Sequence, residues 1–356
     1  MRRLRWALLA LLAVIALIAA YLLLWPVAID PVAWTPPPAP ARDGPYAPND
    51  RLRAVERIAV GGRGPETTAI DAQGRVYTGL EDGRIVRLTP GSPPAELART
   101  GGRPLGVALD AAGHLLIADG VKGLLRTGAD GGDVEVLAAI HDGRRIGLAD
   151  DLDLGPDGTV YFSDASTRFG LGDSEADIVE HGANGRLLAW DPRTGQTRLL
   201  LDQLYFPNGI AVAPDGQFVL VNETSAYRVL RYWLTGPRAG QHDVLIDNLP
   251  GFPDGISTGT GGVYWIALFA PRSADLDRLA GRPFLRKVAA RLPTWLRPRP
   301  EHHAWVVGVD ADGKVVYSLE DASAGSYAPI TSVEERGGYL YLGALGVDAV
   351  ARLPRP

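Results

Sequence analysis

The sequence predicts an all-β fold, a six-bladed β-propeller carried behind an N-terminal transmembrane helix. Three observations predict it. A glycine-terminated turn between alternating apolar strands recurs six times, at Gly74, Gly113, Gly158, Gly216, Gly262 and Gly338. Eight residues ahead of four of those glycines stands an oxygen-bearing side chain: Glu66, Asp150, Asn208 and Asp254. The chain also opens on a long charge-free apolar run.

That run comes first. After Arg2, Arg3 and Arg5 no charge appears from Trp6 to Ile29. A helix of that length reaches about 36 Å, enough to cross a hydrocarbon core of roughly 30 Å. A secretory signal is the competing reading, but no small-x-small motif closes the segment, and Trp25-Pro26 stands where one would fall. The three arginines favour a cytoplasmic N-terminus, which places everything after Ile29 outside the cytoplasm. Residues 1–29 are therefore expected to be a tip and membrane anchor. Residues 30–54, with five prolines between Pro31 and Pro40, are expected to be a stiff spacer lifting the domain off the bilayer.

Residues 55–356 have the length of one propeller whose blades take about 40–50 residues each. The first repeat runs from Gly64-Pro65-Glu66 through Thr67–Ile70 and the turn Asp71–Gly74 to Arg75–Thr78, followed by a hairpin at Glu81–Arg84. Asp-Gly flanked by alternating apolar residues is a strong hairpin signal. The second repeat pairs Val107–Leu109 with Leu115–Ala118, and the third has Ala149-Asp150-Asp151-Leu152 before Thr159–Phe162. The fourth and fifth enter through Phe206-Pro207-Asn208-Gly209 and Phe252-Pro253-Asp254-Gly255, and the sixth through Ile330-Thr331-Ser332-Val333. Two hairpins per repeat require four strands, and so small a sheet needs neighbours on both faces. Successive turn glycines are 39, 45, 58, 46 and 76 residues apart, and the last interval exceeds one blade. Its surplus, residues 271–303, has helical spacing and mixes Phe284, Leu285, Leu292, Trp295 and Leu296 with arginines. It is expected to be a helical cap between blades five and six, a lid or a second contact with the membrane, the alternative being a solvent-exposed excursion.

Composition narrows the chemistry. The chain has no cysteine, so neither a disulfide nor a thiolate site is available. Six histidines without His-x-x-His spacing argue against zinc, and a net charge of −5 offers no field for nucleic acid. No phosphate loop or dinucleotide fingerprint occurs.

Residues in one register of a closed radial repeat converge on its axis. Glu66, Asp150, Asn208 and Asp254 together supply hard oxygen ligands, and calcium is the ion they suit. Asp151, Thr331 and Ser332 are candidate contacts to substrate or to ion-bound water. Single polar residues at strand entrances usually cap turns; four at one register favour a metal. Asp119 and Asp164, which end strands, are expected to bond turn amides, and His114 and His141 are read as surface residues.

The strings Gly64-Pro65-Glu66, Gly102-Arg103-Pro104-Leu105-Gly106, Tyr161-Phe162-Ser163-Asp164, Phe206-Pro207-Asn208-Gly209, Phe252-Pro253-Asp254 and Leu340-Tyr341-Leu342-Gly343 are weak singly. In this order, behind a single apolar anchor, they resemble the strictosidine-synthase-like branch of the calcium six-bladed propellers, a superfamily that includes gluconolactonases, regucalcin and membrane-anchored arylesterases. The resemblance covers nearly all of residues 60–353. It implies that the family's Glu, Asn and Asp ion ligands fall on Glu66, Asn208 and Asp254. Its other Asn falls on Asp150, a departure that adds a carboxylate. Strictosidine synthases carry a catalytic Glu where this chain has Thr331, so amine–aldehyde condensation is not expected. The resemblance implies a calcium-dependent ester or lactone hydrolase in which Asp254 is catalytic, acting on a small-molecule substrate. The alternative is a calcium-stabilised binding propeller without catalysis.

Overall fold

The computed structural model describes residues 2–128 and 130–356. Each of the six turn glycines has a positive φ, between 68° and 85°, a conformation that costs glycine nothing. The turns fold the chain into six four-stranded antiparallel sheets, each leading from an inner strand outward. The inner strands are Ala69–Ile70, Pro104–Leu109, Ala149–Leu154, Pro207–Val212, Gly251–Thr258 and Ile330–Arg336. A separate apolar layer fills each seam between neighbouring blades, from the seam of blades one and two around to that of six and one.

The outermost strand of blade six comes from the front of the chain. Glu56–Ala59 pairs with Ala349–Pro354 in antiparallel register, and Arg352 Nε donates to Glu56 Oε2 at 2.7 Å. This completes the fourth strand of blade six and closes the ring.

Around the axis the inner strands of blades two, four and five approach their neighbours so closely that the position after the register residue admits no side chain. A Cβ at Gly209 would lie 2.5 Å from the Asp254 carbonyl, and one at Gly255 would lie 2.6 Å from the Thr331 carbonyl. Glycine is required there for clearance, not for its φ.

Strand-end carboxylates behave as expected. Asp164 Oδ1 accepts from the amides of Gly147 and Leu148, each at 2.9 Å, and its Oδ2 is paired with Arg186 at 2.6 Å in full burial. Asp119 Oδ1 accepts from the amides of Arg103, Val121 and Lys122.

Arg2–Leu24 is a single apolar helix with no buried residue. By length and composition it can cross a membrane, a test that a signal sequence also passes. Two expectations need correction. The 30–54 segment is not a stand-off spacer but a strap bound to the propeller. Its extended, proline-rich backbone leaves carbonyls free, and Arg272 and Asn248 donate to those of Pro37 and Pro38. Trp34 stacks on His181 with ring centres 4.0 Å apart, while Tyr46 and Leu52 enter the seams flanking blade five. The helical cap, in turn, lies within blade five, not between blades five and six. It joins that blade's second strand, Tyr264–Pro271, to its third, Ala304–Val309. The spacing of turn glycines measures blade pitch but does not distinguish a loop inside a blade from one between blades. The cap is helical as expected, with Ala274–Leu279, Pro283–Ala290 and a 3-10 turn at Thr294–Leu296.

Buried Arg286 ties cap to strap. Its guanidinium donates to the carbonyls of Val179 and Ala280, both at 2.8 Å, and to that of Val32. A hydrogen bond to a charged group contributes about 1.5–3 kcal/mol. Arg286→Met is therefore expected to speed proteolytic cleavage within residues 30–42 by at least about tenfold through local opening. An unchanged cleavage rate would show that the strap is held without it. Gly209→Ala is expected to lower stability by about 1–3 kcal/mol through overpacking at the axis. Urea unfolding checks this, and an unchanged midpoint would contradict the close approach.

Candidate metal and catalytic site at the propeller axis

The axial side chains owe their aim to a repeated irregularity. In five inner strands the pairing to the second strand slips at the entrance: between Pro104 and Gly106, Ala149 and Leu152, Pro207 and Ile210, Pro253 and Ile256, and Ile330 and Ser332. The skipped residues include Leu105, Asp150, Asp151, Asn208, Asp254 and Thr331. A bulge leaves its extra residue outside the ladder and re-aims its side chain. In blade one, Glu66 precedes a two-residue inner strand.

Glu66, Asp150, Asn208 and Asp254 are all buried. Burial raises the proton affinity of the Asp254 carboxyl well above its usual range, and the charges of Glu66, Asp150 and Asp151 raise it further. Asp150 is pushed well up for the same reasons, burial first and then Glu66 and Asp151. Blades one, three and five can interact this way only across the central tunnel. Asn208 lowers the proton affinity of the Asp254 carboxyl slightly, against the larger effects of burial and the acidic neighbours. The Asp254 backbone is held from behind, where Asn222 Nδ2 donates to its carbonyl at 2.6 Å and Thr224 Oγ1 donates to that of Pro253 at 2.7 Å.

The expected ring is thus gathered around one axis, but not as a closed shell. Among the described residues, no three His, Cys, Asp or Glu side chains already stand as a metal cluster. Glu66 is turned onto buried Arg103, whose guanidinium donates to Glu66 Oε2 at 3.2 Å and to the Gly64 carbonyl at 2.9 Å. In chemistry the donor set still fits a hard cation: three buried carboxylates and a carboxamide, with a single guanidinium against them.

Each candidate contact has its own fate. Asp151 Oδ2 accepts from the Ile210 amide at 3.0 Å, and burial lifts its pKa to about 7. Thr331 Oγ1 donates its only proton to the Glu66 carbonyl at 2.7 Å, bracing the seam between blades six and one. Ser332 Oγ is buried without a partner. Leu105, at the same register in blade two, packs against Leu148 and Phe206. Of the two histidines, His114 is paired with Asp110 at 2.8 Å, and His141 stands 3.5 Å from Asp142.

Sequence reasoning missed three residues. Arg103 lies two positions ahead of the register that defines the ring, and its signal was a lone charge at an otherwise apolar strand entrance. Deeper in the tunnel, Asp153 Oδ2 accepts from the Val212 amide at 2.7 Å, and burial raises its pKa to about 6. Glu334 is raised to about 8 by desolvation and then by Asp153 and Asp151. The alternation Asp151-x-Asp153 in a central strand was the legible sign of this second layer.

Comparison with known proteins agrees with this geometry. The strictosidine synthase profile matches residues 150–237, and the profile for the strictosidine synthase-like N-terminal region matches residues 44–88. Adipocyte plasma membrane-associated protein of Danio rerio is 36% identical over 349 residues, covering 91% of this chain and 84% of that protein. Protein strictosidine synthase-like 6 of Arabidopsis thaliana is 35% identical over 314 residues, covering 86% and 83%. Among solved structures, a gluconolactonase of Xanthomonas campestris superposes with a TM-score of 0.61 at 18% identity, covering 86% of this chain and 91% of that one. The calcium-binding protein regucalcin of Agrobacterium tumefaciens gives 0.59 at 18% identity, covering 83% and 92%. At such identities the solved structures establish the fold alone. The profile matches and the two full-length relatives carry the assignment further: this chain belongs to the strictosidine synthase-like family.

Proposed function

We propose that this protein is a membrane-anchored, calcium-dependent hydrolase of small esters or lactones. The observation that carries the reading is the set of buried, mutually repelling carboxylates from blades one, three and five at one end of the tunnel. Such a set is stable only with protons or a cation between its members. Glu66, Asp150, Asn208 and Asp254 would hold the ion. Bound calcium supplies polarisation of a carbonyl oxygen and stabilisation of the developing oxyanion.

The protein's own residues supply the rest. Asp254 is the group placed to receive a proton from water or to attack the carbonyl, and the Asn222 and Thr224 bonds fix its backbone. Asn208 opposes, in small part, the rise in the proton affinity of the Asp254 carboxyl that burial and the neighbouring carboxylates cause. Arg103 turns Glu66 and offsets part of the negative charge. Thr331 has its proton committed to the Glu66 carbonyl and supplies no carboxylate, so the proton transfers of an amine–aldehyde condensation lack a group to carry them.

The anchor reading is supported by Arg291, which grips the last turn of the apolar helix through the carbonyls of Leu22 and Trp25. The three arginines ahead of the helix favour a cytoplasmic N-terminus.

Turnover of phenyl acetate and a lactone panel tests the activity. Asp254→Asn is expected to lower kcat by at least about 100-fold while keeping the fold, the loss of a positioned proton acceptor. Wild-type turnover by that variant would move the reacting group elsewhere. Removing calcium with a chelator should abolish turnover and lower Tm, because a ligand bound only by the native state stabilises it by mass action. Calcium binding without turnover of any ester would favour the binding-propeller alternative.

A further inference from the structure

Building on the anchor reading, we propose that the 271–303 cap is a second membrane contact, an amphipathic foot seated in the anionic lipid interface beside the apolar helix. The propeller is then held with the carboxylate end of its tunnel towards the bilayer.

Topology fixes which end the cap covers. Its first strand ends at Pro271, paired with Gly251, three residues ahead of Asp254 on the neighbouring inner strand. The cap therefore leaves the propeller at the end where Glu66, Asp150 and Asp254 enter the tunnel. The apolar helix arrives at the same place. Arg291 donates to the carbonyls of Leu22 at 2.9 Å and Trp25 at 2.5 Å, and Lys287 pairs with Asp30 at 2.8 Å. Where the helix leaves the bilayer, the cap lies within one arginine side chain of it.

The cap's polarity is reversed relative to a helix made for water. In Pro283–Ala290, Arg286 is 2% exposed and points into the protein, whereas Phe284 is 56% exposed. In the turn that follows, Trp295 is 72% and Leu296 50% exposed. A solvent-facing lid would place these side chains the other way round. Apolar and aromatic side chains beside a membrane exit are what the interface accommodates. Charge points the same way. Residues 281–300 contain no acidic residue, and of their six basic ones Arg286 and Arg291 are buried while Arg282, Arg297 and Arg299 are exposed, a positive face that anionic headgroups attract.

The chain has no cysteine, so single cysteines can report depth in the full-length protein. Phe284→Cys, Thr294→Cys, Val14→Cys and Gln73→Cys would each be labelled with an environment-sensitive fluorophore in nanodiscs of phosphatidylcholine and phosphatidylserine. Val14 lies in the apolar helix and Gln73 in a turn at the far end of blade one. Thr294→Cys leaves every exposed apolar residue of the cap in place, so its result does not depend on tolerance of the Phe284 change. Labels at 284 and 294 are expected to be quenched by lipid-borne nitroxide as at 14, and protected from aqueous iodide at least about fivefold relative to 73. Omitting phosphatidylserine should reduce that protection. If 284 and 294 respond like 73 while 14 remains in lipid, the foot is refuted and the anchor stands. If 14 is also accessible to iodide, the anchor reading falls and takes the foot with it.

Discussion

Backbone crowding at the axis is the constraint on which the rest of this protein depends. Six inner strands meet at the axis, and Gly106, Gly209 and Gly255 let neighbouring backbones nearly touch. Strands packed that tightly cannot continue a regular ladder to their entrances. The pairing slips, and the residue left out turns its side chain into the tunnel. The geometry that closes a propeller is therefore also the geometry that gathers polar groups. Blade two shows that it does not choose which groups: its bulged residue is Leu105, which packs sideways into an apolar cluster.

Much of this was legible in the chain because both signals are periodic. Turn glycines recur at blade pitch, and counting from them located Glu66, Asp150, Asn208 and Asp254 without any knowledge of the bulges. What escaped was what periodicity does not encode. Arg103 reaches the ring from outside the register, using the length of its side chain. Asp153 and Glu334 lie deeper on strands whose pattern reads as ordinary alternation. The proline-rich strap looked like a spacer because proline stiffens a chain in solution, whereas here its unpaired carbonyls serve as acceptors for Arg272, Asn248 and Arg286. Sequence composition describes the backbone's preference but not the donors that meet it.

The tunnel is a problem in charge storage. Carboxylates on three blades stand within reach of one another's fields, and among the described residues only Arg103 opposes them directly. Burial makes each charge expensive, and their proximity makes the expense shared. A group in such a place holds a proton or a cation far more tightly than it would in water, and it gives up either one when the field around it changes. This is a useful property at a site of proton transfer and a burden anywhere else. Asp153 and Glu334 add a second acidic layer to the tunnel wall.

The joining of Glu56–Ala59 to the sixth blade has a consequence in time. That strand is among the first parts of the propeller to leave the ribosome, yet its partner, Ala349–Pro354, is the last. Throughout synthesis its hydrogen-bonding edge has no mate, and nearly three hundred residues must arrive before the circle can shut. Long-range pairing of this kind folds slowly and exposes sticky edges meanwhile. The strap that ties the preceding segment down also restrains this waiting strand, so the chain keeps its own open end close to the surface on which the final blade will be completed.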